Sequence, residues 1–191
     1  MDLPHRIDAP RIAPLAVADW NSALREQLLG NRPAEMGDGE APVFNIFKTL
    51  ANHPALARKF GVWGNQILFK SSLSPRDREL AILRVGWLAR AAYEWGHHVD
   101  IALNHAGMSE ADVDLARQGP VSGSEAADDV LLRAVDELVG DHFIGDATWA
   151  LLAQRFSQTQ LMDLVFTVGQ YSMVSMALNS FGVQLEPEYR R

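Results

Sequence analysis

Apolar residues recur along the chain at helical rather than alternating spacing, and the residues that interrupt them are helix-capping types. The clearest start lies at Ser74, Pro75, Asp77 and Glu79: an N-cap serine, a proline at the first helical position, and acidic groups facing the positive end of the helix dipole. This pattern predicts a helix from Pro75 to about Ala92. After Glu79 its only charged residues are Arg84 and Arg90, so nearly every side must be covered by protein, at the centre of a bundle or in a subunit interface. The next helix carries Tyr93 to His105 and stops at Gly107, with Ser109 capping another directly afterwards. Ser124 or a neighbour opens a helix running to Gly140, and Asp146 caps Thr148 to Phe156. Ser157 with Gln160 three residues later forms a capping box for a long helix to about Phe181.

The first part of the chain reads differently, because six of the nine prolines lie at or before Pro54. Residues 1–42 are expected to form an irregular arm with one short helix, Val17 to Leu29, spaced through Trp20, Leu24 and Leu28. The Gly, Pro and acidic content of Asn31 to Pro42 marks a flexible loop. A second helical region, Val43 to Phe69, is broken near Pro54. No alternating β-branched run is bounded by hairpin turns. The expectation is a single all-α domain over 1–191, with the arm at 1–42 and a helical core at 43–191.

Composition narrows the function. The 17 Lys and Arg against 24 Asp and Glu give 17 − 24 = −7, and no basic stripe forms, so nucleic acid and anionic membrane are not expected partners. No stretch approaches about 18 consecutive apolar residues, and the first residues lack a signal-peptide core. A soluble, cytoplasmic protein is the resulting expectation. The absence of cysteine matters most, since it removes disulfides, thiolate metal ligands and cysteine nucleophiles together.

Candidate chemistry concentrates at Tyr93, Glu94, Trp95, His97, His98 and His105. Helical spacing puts Glu94, His98 and His105 on one face, while His97 points roughly 100° away, so the two adjacent histidines cannot share one site unless the helix starts between them, a start or kink that Gly96 just before them would allow. An adjacent histidine pair is ordinarily solvated or satisfied in the core. Here the flanking aromatic and apolar residues desolvate the imidazole, and Glu94 is within reach to orient it. Glu79 alone reads as a dipole partner.

The run from Leu73 to Val113 resembles the core motif of the carboxymuconolactone decarboxylase family, which includes alkylhydroperoxidase D. Shared features are the capped start with Arg78 and Glu79, the aromatic-Glu-Trp run ending in His98, and Ala102, Leu103, Asn104 and Gly107 after it. The resemblance implies an alkylhydroperoxidase D-like helical bundle that assembles as a trimer or hexamer. In the peroxidase branch, a glutamate, two cysteines and a histidine form a redox relay. Those positions are held here by Glu79, Ala91, Glu94 and His98, so both thiols are missing and thiolate reduction of peroxide is chemically closed.

What remains resembles the decarboxylase branch, with a small unsaturated lactone or carboxylic acid of aromatic catabolism as the implied substrate and no cofactor. On that reading His98 is the general acid/base, Glu94 its orienter or a second proton carrier, and Glu79 a buried relay partner. Tyr93, His97 and Trp95 are candidates for substrate contact. Arg84 either grips a substrate carboxylate or forms an internal salt bridge. Trp63, Trp87 and Phe69 are further candidates for an aromatic lining. Two other readings stand beside this one: a metal site on Glu94, His97 and His98, and a redox-dead oligomeric ligand-binding protein.

Overall fold

The computed structural model describes residues 6–29 and 43–189, and the expected loop at Asn31 to Pro42 lies outside the described residues. Among the described residues the structure is helical, with no strand. In chain order the helices are α1 (Ser22–Leu29), α2 (Asn45–Leu50), α3 (Pro54–Phe69), α4 (Pro75–Leu88), α5 (Ala92–His105), α6 (Glu110–Gln118), α7 (Ala127–Asp141), α8 (Asp146–Arg155) and α9 (Gln158–Phe181). Val17–Asp19 is a separate 3-10 turn, so the expected Val17 to Leu29 helix is divided in two. Its two parts meet through Asn21, whose side chain accepts from Leu24 N–H at 2.8 Å and opens α1.

Helix α4 is the axis of the bundle and packs against α5, α6, α7 and α9. Leu80, Ala81, Ile82 and Leu83 are each wholly buried in it, and each leucine or isoleucine contributes roughly 1.5–3 kcal/mol by burial. The helix ends at Leu88, earlier than its sequence suggests. The cause is tertiary: Arg6 and Asn179 both donate to the Ala89 carbonyl, at 2.8 and 3.0 Å, and Arg90 adopts a left-handed φ of 48°. This sharp turn folds α5 back against α4, with Gly86 facing the Trp95 backbone.

Other helix starts follow the expected chemistry with small shifts. Ser74, Ser109 and Ser157 all cap as expected, the last two in capping boxes with Asp112 and Gln160. Helix α7 begins at Ala127 rather than at Ser124, whose hydroxyl instead accepts from Ala126 N–H. Asp146 is the first residue of α8, not its cap. Glu137 accepts from the Gly145 N–H in its place.

Helix α9 is long and apolar enough to cross a membrane by length and composition, yet half of it is buried against protein. Its buried face meets α3, α4, α7 and α8, and Gly182 ends it in the left-handed conformation, φ 69°. Its other face leaves Met162, Phe166, Met173 and Met176 exposed, with Phe166 edge-on to Trp63 of α3. Beyond Gly182 the chain turns back and lies on α5.

Candidate active site

Three helices bring one imidazole into an enclosed setting. Helix α4 contributes Glu79, which is 0% exposed; that burial excludes a surface dipole role and requires internal partners. One is Arg78, whose Nε donates to Glu79 Oε1 at 3.1 Å. The other is His98 on α5, whose Nδ1 stands 2.6 Å from Glu79 Oε2. The opposite ring nitrogen, Nε2, lies 2.9 Å from Glu94 Oε1, one helical turn earlier. Tyr171 of α9 closes the set, its ring edge-on to His98 with centroids 4.9 Å apart.

The electrostatics follow from this clamp. Burial pushes the His98 pKa down, but the charges and hydrogen bonds of Glu79 and Glu94 outweigh it and raise the pKa to about 10. Both ring nitrogens face carboxylate oxygens, and an ionised carboxylate only accepts, so the imidazolium donating from both sides is the matched state. With Arg78, two negative and two positive groups are enclosed together. Burial, then the charges of Glu94 and Glu79, push the Tyr171 hydroxyl well above its usual pKa. Thr167 and Ser175 lie one turn to either side of Tyr171, and their buried hydroxyls have no hydrogen-bond partner.

His97 faces elsewhere, as the 100° helical offset requires. Its Nε2 stands 2.7 Å from Glu186 Oε2 in the carboxyl-terminal segment. Glu186 Oε1 accepts from the Tyr93 hydroxyl at 3.2 Å and from the Asn45 N–H at 2.6 Å. Burial raises the Glu186 pKa, but the bonds from His97 and Asn45 outweigh it and hold the carboxyl below its usual value. Gly96 lies inside α5 rather than at its start. It leaves room for Leu185, since a Cβ there would stand 2.6 Å from Leu185 Cδ2.

The remaining sequence candidates are committed to other contacts. Arg84 forms a two-pronged pair with Asp136, at 2.6 and 2.8 Å, and donates to the carbonyls of Ala116 and Arg117. Its fork is thus the internal salt bridge rather than a free carboxylate grip, made to another helix through Asp136 of α7. Trp95 is buried, tilted against Trp87, with the Arg117 guanidinium over its ring at 5.1 Å. His105, Trp63 and Phe69 are exposed, outside the enclosed cluster. Glu94 and His97 diverge, and both nitrogens of His98 are taken by carboxylates. Among the described residues no group of three or more His, Asp or Glu is placed to hold a metal ion.

Sequence reasoning did not single out Tyr171 or Glu186. Tyr171 sits in an apolar helix where only the period of buried positions marks it, and Glu186 lies 89 positions from His97 in a tail that reads as solvated.

Residues 54–137 match the carboxymuconolactone decarboxylase family, a span that contains Glu79, Glu94 and His98. No curated protein matches the chain in sequence. Among solved structures, an alkylhydroperoxidase AhpD core described as an uncharacterized peroxidase-related protein from Ralstonia eutropha is similar with TM-score 0.79 and 17% identity, covering 94% of each chain. An uncharacterized peroxidase-related protein from Silicibacter sp. is similar with TM-score 0.71 and 18% identity, covering 97% of this chain and 94% of that one. The apo form of the debrominase Bmp8 is similar with TM-score 0.67 and 18% identity, covering 94% of each. At such identities the likeness is one of fold. Residues 54–137, with Glu79, Glu94 and His98 in place and no cysteine, are thus similar to the carboxymuconolactone decarboxylase family, and the chain is built on the alkylhydroperoxidase D-like fold.

Proposed function

We propose that the protein is a carboxymuconolactone decarboxylase-like enzyme that moves a proton without thiol chemistry, on a small unsaturated lactone or carboxylic acid. The observation that carries this reading is the clamp of one imidazole between Glu79 and Glu94. The raised pKa changes the roles first assigned from sequence. His98 is the proton store, Glu79 with Arg78 holds its Nδ1–H, and Glu94 is the group that hands the proton on.

In a decarboxylation, the bond from carbon to the carboxylate breaks and CO2 leaves. The electron pair spreads into the adjoining unsaturated carbonyl system. A proton passes from His98 Nε2 to Glu94 and on to the substrate carbon, and water reprotonates His98. Tyr171, Thr167 and Ser175 offer hydroxyl donors for the substrate's oxygens. We also propose that copies of the chain associate through α9, whose Met162, Phe166, Met173 and Met176 form an exposed apolar stripe.

Binding without turnover is a second reading, and one observation favours it: His98 and Glu94 are each only 5% exposed. Ultraviolet-monitored turnover of unsaturated lactone acids and β-keto acids separates the two. Turnover lost in His98→Ala and in Glu94→Gln supports the enzyme. Ligand binding without turnover, unchanged in His98→Ala, overturns it.

A further inference from the structure

A second buried polar cluster lies on the face of α5 that carries Tyr93 and His97. Three donors converge on one carboxylate: the Asn45 N–H, the Tyr93 hydroxyl and His97 Nε2. The Tyr93 oxygen itself accepts from the Ile46 N–H at 3.2 Å, which directs its proton toward the carboxylate. Phe44 stands edge-on to the His97 ring at 4.6 Å and Tyr93 lies tilted against it at 4.7 Å, so the donors are framed by aromatic surface. Beside them Gly96, lacking a Cβ, leaves room on the helix for an apolar group.

In this structure the chain's own tail fills that site. Glu186 supplies the carboxylate and Leu185 lies on Gly96, while the Tyr189 ring lies tilted against His97 with centroids 4.1 Å apart. A buried charged group on a terminal segment is a costly way to tie down a tail, because apolar packing would serve as well or better for stability alone. The same three donors would serve another carboxylate of similar shape.

We propose that Asn45, Tyr93 and His97 form a second binding site, distinct from the His98 clamp, for a small planar aromatic or unsaturated carboxylic acid, and that Glu186 is its built-in competitor. The external carboxylate takes the three bonds of Glu186, and the ligand's planar body takes the place of Leu185 on Gly96. Residues 185–189 are displaced when the ligand binds. Because the tethered Glu186 competes at high local concentration, the intact protein binds with an apparent affinity reduced by the fraction of time the tail is away.

Benzoate is the probe, with benzamide as its uncharged counterpart, and binding is read by calorimetry on the full chain without any need for turnover. Glu186→Ala is expected to bind benzoate at least about tenfold more tightly than the unsubstituted protein, and Glu186→Ala with His97→Phe to lose that gain. In the unsubstituted protein, benzoate but not benzamide is expected to speed amide hydrogen exchange at residues 185–189. Equal benzoate affinity with and without Glu186, or a gain that survives His97→Phe, overturns the proposal. Should Glu186→Ala fail to fold, the exchange measurement decides alone, and unchanged tail protection at saturating benzoate overturns it.

Discussion

Glu79 and His98, nineteen residues apart on successive helices, meet at 2.6 Å with the glutamate entirely removed from solvent. That contact, matched by Glu94 on the other ring edge, determines the charge of the imidazole. The folded-state pKa of about 10 lies above the ordinary 6.5, so the clamp's contribution to stability is fully present below about pH 6.5 and is lost as pH rises through 10. The imidazole carbon and nitrogen resonances of His98 are expected to report imidazolium from pH 6 to about 9. In Glu79→Gln the transition moves toward neutrality. A His98 signal that titrates near 6.5 in the unsubstituted protein would refute the clamp as described.

Removing one side of the clamp tests its cost. Glu79→Ala leaves the His98 imidazolium and Arg78 facing each other without their shared carboxylate, a buried mismatch expected to cost about 3–5 kcal/mol in urea unfolding. A loss below about 1 kcal/mol would mean that His98 sheds its proton at little cost in the folded protein.

Glycine substitutions of opposite sign separate the tail contact from helix propensity. Alanine in a helix interior is ordinarily worth about 0.5–1 kcal/mol over glycine. Gly64→Ala in α3 meets nothing within 4 Å and is expected to show that gain. Gly96→Ala drives its methyl into Leu185, so a net loss of about 1–2 kcal/mol is expected, with faster hydrogen exchange at residues 185–189. A gain at Gly96 equal to that at Gly64 would show that the tail does not rest on α5.

Much of the fold was legible because helix caps are local chemistry: Ser74, Ser109 and Ser157 each announce a start within four residues. The end of α4 was not, since Leu88 to Ala92 are good helix formers and the turn is imposed by Arg6 and Asn179 from distant parts of the chain. The site divides in the same way. Glu94 and His98 could be paired by counting along one helix, and the 100° offset separated His97 from them. The partners of His97, Arg84 and Trp95 come from other elements, and no spacing rule reaches Glu186, Asp136 or Arg117.

The stripe on α9 gives a prediction about assembly. Met162, Phe166, Met173 and Met176 recur at helical spacing on the face opposite Tyr171, 47–67% exposed, and Gly169 among them meets nothing within 4 Å. Light scattering is expected to give a mass above 21.1 kDa, and Phe166→Glu with Met173→Glu to bring it down to that of one chain. A monomer at micromolar concentration before substitution would refute the association.

Arg84 discriminates between a substrate grip and a structural pair. Its guanidinium spends four hydrogen bonds inside the protein, two on Asp136 and two on carbonyls at the end of α6. Arg84→Ala therefore strands a buried carbonyl, a part-buried one and a carboxylate. Because Asp136 keeps 31% of its side-chain surface exposed, the expected loss is about 2–3 kcal/mol, below that of a fully buried pair. Arg84→Lys restores the charge but not the planar fork, and is expected to recover less than half of it. In both variants ligand affinity is expected to stay within about twofold once measured well below the unfolding temperature, less than the loss of a charge-assisted bond would produce. A tenfold loss of carboxylate affinity in Arg84→Lys with unchanged stability would instead return Arg84 to the substrate.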